Sequence, residues 1–197
     1  MNFKQALSII LVIFGFFQSC NGQDEPRKLK DVNVNYELPT ADKAYLNRVI
    51  DSMYSLDQGK RFDMKRLDTL YGVAEIKYLS RAKVLGDRYG EYKRKRDSLW
   101  EITAGVDETN TLRLIAITKK YGFPNNRRLG RYKSKAYLIF VHSPHKYADE
   151  IRDLIEGEYE KGRIDEYKKE YIYWDLNGRR GMPPMNGKNG EAVWIKN

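Results

Sequence analysis

The stretch HKYADEIRDLIEGEYEK, residues 145–161, decides the fold class. Tyr147, Ile151, Leu154, Ile155 and Tyr159 recur at spacings of three and four, which puts one apolar stripe on an otherwise charged helix. The same period governs most of the chain on either side. Downstream, Arg163 to Trp174 reads as a helix with Ile164, Tyr167, Tyr171 and Trp174 inward. After Asp175 the period disappears: Asn177 to Gly190 holds four glycines and two prolines, and Val193-Trp194-Ile195 closes the chain. Upstream, Ala136 to Val141 is a continuous apolar run whose period fits a buried helix and a buried strand equally, and Pro144 ends it.

Further upstream, Asp107 to Lys120 reads as a helix with Leu112, Ile115, Ala116 and Tyr121 inward, stopped by Gly122 and Pro124. Thr40 is placed to cap a helix running to Asp57, with Leu46, Val49, Ile50 and Met53 on one face and Gly59 as its end. From Arg61 to Trp100 a longer pattern runs through Leu67, Leu70, Tyr71, Ala74 and Tyr78, and Gly72, Gly86 and Gly90 argue against one unbroken helix. The expected fold is therefore mainly α: a small multi-helix domain of five or six helices with an irregular C-terminal tail.

The amino terminus has a different grammar. Met1 to Ser19 carries a single charge, Lys4, and a 12-residue apolar stretch from Ala6 to Phe17. Twelve residues rise about 18 Å as a helix, short of the roughly 30 Å of bilayer hydrocarbon, so the segment reads as an export signal. Cys20, the one cysteine of the chain, follows directly behind Ser19. Phe17-Gln18-Ser19-Cys20 resembles the lipobox of bacterial lipoproteins, in a relaxed form similar to that of Bacteroidetes-type bacteria. The resemblance implies cleavage before Cys20 and lipidation of its thiol, with the protein anchored at the cell envelope, most readily at the outer membrane. The alternative is an ordinary signal peptide that leaves a free thiol.

Residues 20–39 then form a polar tether containing Pro26 and Pro39, and Gln23-Asp24-Glu25 resembles the acidic surface-export tag of such lipoproteins. Residues 40–197 form the body. With Cys20 lipidated, the body has no disulfide, thiolate metal site or cysteine nucleophile.

The chain of 197 residues carries 36 basic and 27 acidic side chains, a formal charge of +9. The signal segment accounts for only one of those positive charges, so the excess belongs to the body. Export removes nucleic acid from the partners of a basic protein. It leaves lipid headgroups, acidic glycans and envelope phosphates. The basic clusters are Lys93 to Arg96, Arg127-Arg128 with Arg131, Lys133 and Lys135, and Arg179-Arg180. The 15 tyrosines suit helix edges, where a ring is half-buried and its hydroxyl reaches a partner.

Residues 107–175 resemble a bacterial domain family of unknown function that is often exported. Asp107, Asn110-Thr111, Tyr121-Gly122-Phe123-Pro124, Gly130, the apolar run ending Val141-His142, and Asp175 after Tyr173-Trp174 carry the resemblance. Val141 and Leu176 stand where the family has Gln and Arg, and Gly181-Met182-Pro183-Pro184 replaces its terminal stretch. The resemblance implies a mainly helical fold and no particular chemistry.

Candidate chemistry centres on His142. If the helices pack as neighbours, Asp107, Asn110 and Asp175 could converge on it, and with Asp107 or Asp175 it could serve as a general base. Asp107 alone is equally suited to cap a helix. His142 and His145, three apart, could share a zinc ion with Asp175 or Asp149, but Pro144 disrupts the spacing and no metalloprotease helix motif is present. A buried His142 hydrogen-bonded to a carboxylate on a neighbouring helix is the commoner situation. The sequence therefore assigns no metal and no cofactor. It favours a binding or scaffolding domain, with a hydrolase-like enzyme as the alternative and Asn110, Arg127, Arg128 and Arg131 as candidate ligand contacts.

Overall fold

The computed structural model describes residues 37–76, 79–131 and 133–194. The signal segment, Cys20, most of the tether and Tyr78 lie outside the described residues. The body is mainly helical. Helix α1 spans Thr40–Leu70, α2 Arg81–Leu85, α3 Tyr89–Tyr121, α4 Asn126–Leu129, α5 Ala136–Val141, α6 Ala148–Glu160 and α7 Glu166–Leu176. A two-stranded antiparallel ladder, β1 Met185–Asn186 and β2 Ala192–Val193, orders part of the tail expected to be irregular.

Several boundaries differ from the sequence reading. Gly59 does not end α1, which runs through it for 31 residues, about 46 Å. A mid-helix glycine costs about 1 kcal/mol, and buried contacts at Met53, Asp57 and Leu67 on either side outweigh that. Nor does Thr40 cap α1: it is the first helical residue and no side chain caps the start. The break after α1 is real, with Gly72 at φ +71° and Gly86 at φ +52°, whereas Gly90 sits inside the first turn of α3.

The helix expected from Asp107 is thus the second half of a 33-residue helix. Its inward residues include Leu114, Ile115 and Ile117; Leu112 and Ala116 face solvent instead. Gly122, at φ +76°, stops it as expected. The ambiguous run Ala136 to Val141 is a helix, with Ala136, Ile139, Phe140 and Val141 buried.

Helices α1 and α3 run antiparallel and form the long axis of the body. They hold two separate apolar clusters. The larger takes Leu46, Val49, Ile50 and Met53 from α1 and Leu114, Ile115 and Ile117 from α3. It is closed by Phe123, Leu129, α5, Ile151 and Ile155 of α6, and Ile172 and Leu176 of α7. The smaller lies at the other end and contains Leu67, Tyr71, Val73, Leu85 and Tyr92, with Ile76, Tyr89 and Leu99 at its edge. This second end is an arm, made of the last turns of α1, the 71–88 connection and the first turns of α3.

Candidate functional site

Along both long helices, polar residues separate the two clusters. On α1, Asp57 and Arg61 sit one turn apart between Met53 and Leu67. On α3, Asp107 lies between Leu99 and Leu114. His142 reaches the same place from the end of α5. Asp57 is only 2 % exposed and Asp107, His142 and Arg61 are partly covered.

All four carboxylate oxygens accept hydrogen bonds. Arg61 Nη2 donates to Asp107 Oδ1 at 2.8 Å and Oδ2 at 2.9 Å. Arg61 Nε donates to Asp57 Oδ1 at 3.0 Å, and Gln58 Nε2 to Asp57 Oδ2 at 2.6 Å. His142 Nδ1 lies 3.0 and 3.2 Å from the Asp57 oxygens. Arg61 Nε is also 3.1 Å from that nitrogen. Nδ1 carries either a hydrogen or an in-plane lone pair, and the ionised Asp57 requires the hydrogen. His142 Nε2 makes no hydrogen bond to a described residue and keeps access to solvent.

The two carboxylates divide their roles. Burial alone would raise the pKa of Asp57, but the hydrogen bond and charge of His142, with Arg61 and Gln58, bring it down to about 2. Burial pushes Asp107 up to about 6. Arg61 opposes that rise, and the neighbouring Asp57 adds to it. One permanent cation faces two carboxylates here, so the second carboxylate holds its proton far longer than a surface aspartate does.

Asp57, Asp107 and His142 offer ligand atoms within 4.8 Å of one another, a spacing a cation would fit. The Arg61 guanidinium already bonds both carboxylates there, so the positive charge of the centre is supplied by the chain itself. The zinc set read from the sequence does not assemble. His145 is exposed in a 3₁₀ turn, Asp149 is fully exposed beside Arg152, and Asp175 is paired with Arg179.

His142 and Asp107 do meet, as the sequence suggested, but Asp175 is not with them. Asp107 lies mid-helix and caps nothing. Asn110 is buried and donates to the Met53 carbonyl at 3.0 Å. Arg128 is buried and donates to the Tyr121 carbonyl. Arg131 grips Asp51 at 2.6 and 2.9 Å and donates to Asn47, while Arg127 is exposed. Sequence reasoning missed Asp57, Arg61 and Gln58. Their signal, an Asp and an Arg four apart on a helix, is the same as that of any surface ion pair.

A second buried carboxylate, Glu158, accepts from the Phe123 N–H at 2.7 Å and from Arg163 Nε at 2.6 Å. It ties α6 to the chain just past α3. Ser143 does not face His142 as a nucleophile: its hydroxyl donates to the Phe140 carbonyl at 2.6 Å. Comparison of the chain with protein-family models, curated proteins and solved structures finds no match.

Proposed function

We propose that this chain is a lipid-anchored protein of the bacterial cell envelope, held at the outer membrane through Cys20, whose helical domain binds or scaffolds an envelope component. The lone cysteine behind Ser19 and a 12-residue apolar stretch supports the anchor. No helix among the described residues is long and apolar enough to cross a membrane. One observation carries the binding reading: the carboxylates of the polar centre are engaged by the chain itself, while the arm presents apolar side chains to solvent. Every carboxylate oxygen of Asp57 and Asp107 is engaged by the chain's own side chains. The arm, by contrast, exposes Phe62, Leu70, Leu79, Val84 and Trp100.

Cys20→Ser tests the anchor. The variant is expected to lose incorporation of labelled acyl chains and to leave the membrane fraction, with its mass showing an unprocessed or unlipidated amino terminus. Unchanged membrane retention at the wild-type mature mass counts against the proposal.

A hydrolase-like reading rests on the His142–Asp57 pair, which fixes one imidazole tautomer and leaves Nε2 open as a base. The two readings separate on His142→Ala. A structural lock predicts a melting temperature several degrees lower, since losing a buried hydrogen-bonded group costs about 1–2 kcal/mol. A functional base predicts an unchanged or higher midpoint.

A further inference from the structure

Phe62, Lys65, Arg66, Thr69 and Leu70 lie at i, i+3, i+4, i+7 and i+8 on α1 and line one open groove of about 370 Å³. Phe62 is 64 % and Leu70 75 % exposed, far from the usual fate of such side chains. Lys65 and Arg66 make no ion pair with a described carboxylate, and neither do Lys83 and Arg88 elsewhere on the arm. Other cations of the arm are paired, Lys93 with Asp97, Lys95 with Glu91, and Arg81 and Arg96 with Asp68. Residues 60–100 hold twelve basic and six acidic side chains, so two thirds of the chain's excess charge of +9 sits on one fifth of its length. An apolar stripe flanked by unpaired cations matches a surface that is anionic at its face and apolar just beneath.

We propose that the arm docks on an anionic lipid bilayer, with Phe62 and Leu70 entering between headgroups and Lys65 and Arg66 meeting their phosphates. The proposal deepens the envelope-anchored reading above and rests on it. The 16 residues between Cys20 and Glu37 can span about 55 Å, longer than the roughly 46 Å of α1, so an anchor at Cys20 leaves the arm within reach of the same membrane. The anchor then holds the chain at the membrane, and the arm adds a second, salt-sensitive contact on the same surface.

The test uses residues 33–197, a compact unit with its own core, which lacks Cys20 and so reports on the arm alone. Its co-sedimentation is measured with vesicles of equal parts phosphatidylglycerol and phosphatidylcholine, and with phosphatidylcholine alone. Binding is expected only to the anionic vesicles and is expected to fall steeply with salt. Removing two basic side chains near such a surface weakens binding by about thirtyfold, so Lys65→Gln with Arg66→Gln is expected to reach that loss. Phe62→Ser with Leu70→Ser is expected to lower binding at every salt concentration. All four side chains are on the surface, and an unchanged melting temperature verifies that the variants fold.

Absence of binding to anionic vesicles at low salt, or wild-type binding by either double variant, overturns the proposal. So does a dimer in solution that Phe62→Ser with Leu70→Ser dissociates, because the groove then belongs to a second copy. Loss of acylation in Cys20→Ser is read separately, so the anchor and the arm fail independently.

Discussion

The two ends of the α1–α3 pair show how the same architecture supports different stabilities. At the closed end, the pair is wrapped by α5, α6 and α7, and Leu46, Ile50, Leu114, Phe140, Ile151, Ile155 and Ile172 are all inaccessible to solvent. At the arm, the pair has only its own connection for cover. Leu67 and Tyr71 remain at the margin of burial, and the cluster leans on polar contacts. Tyr92 donates to Asp68 at 2.7 Å, and Arg81 and Arg96 approach the same carboxylate. The closed end is held by apolar area, and the arm by a small aromatic cluster pinned with charge. A segment with few buried apolar contacts opens locally more easily than the core to which it is joined.

The largest expected effect compares one leucine from each end. Leu114→Ala empties a fully buried site and is expected to cost about 3–4 kcal/mol in a single global transition. Leu67→Ala is expected to cost about half of that. More telling is where the loss appears. Hydrogen exchange should accelerate only in the arm for Leu67→Ala, and across the whole body for Leu114→Ala. If Leu67→Ala accelerates exchange in α6 and α7 as well, the two ends form one cooperative unit.

The polar centre lies at the junction of the two ends, and its titration gives the next effect. Asp57 has its folded pKa lowered from 3.8 to about 2, so its contribution is full above pH 4 and is lost as pH falls toward 2. Asp107 has its folded pKa raised from 3.8 to about 6, so the opposite sign applies. Its contribution is full below pH 4 and is lost as pH rises to 6. Stability is therefore expected to peak near pH 4 and to decline by on the order of 2 kcal/mol toward pH 6. Asp107→Asn should abolish that decline, whatever it does to absolute stability. Parallel curves for wild type and variant, from urea unfolding at each pH, would remove Asp107 as the cause.

How much of this was legible depends on which residues had to reveal it. The stripe from Tyr147 to Tyr159 showed itself because its polar face is charged almost without exception, so the 3.6-residue period stands out. The stop at Gly122–Pro124 was legible because both residues act on the local backbone. The inner face of α3 was not. It includes Thr103, Asn110, Thr111 and Thr118, which look solvent-facing in a sequence, and this displaced the expected stripe onto Leu112. Thr103 and Thr111 satisfy their hydroxyls on carbonyls one turn back, at Leu99 and Asp107, so they enter a core without a partner helix. The site was half legible for a related reason. His142 ends an apolar run and so had to find a partner, but its carboxylate, Asp57, lies 85 residues away on a helix whose pattern marked no site there.

The smallest contrast, a difference of about 1–2 kcal/mol, is between two glycines that end the long helices. Gly72 follows α1 at φ +71°, and Gly122 follows α3 at φ +76°. An alanine at either place pays for a left-handed backbone, about 1 kcal/mol. At Gly122 two further costs apply. Its ψ of 165° puts it in a region that is essentially glycine's alone. A Cβ there would also lie 2.9 Å from the Arg163 guanidinium, which is held in place by buried Glu158. At Gly72 no atom lies within 4 Å of the added carbon. Gly122→Ala is therefore expected to cost about 2–3 kcal/mol and Gly72→Ala about 1 kcal/mol, read as shifts of the urea midpoint at constant slope. Charge-neutral Arg163→Met in the Gly122→Ala background should recover little, because it takes from buried Glu158 its closest cation and leaves only Lys161 at 3.9 Å. Equal costs at the two glycines would mean that the closed end yields as readily as the arm, and the contrast between them would fail.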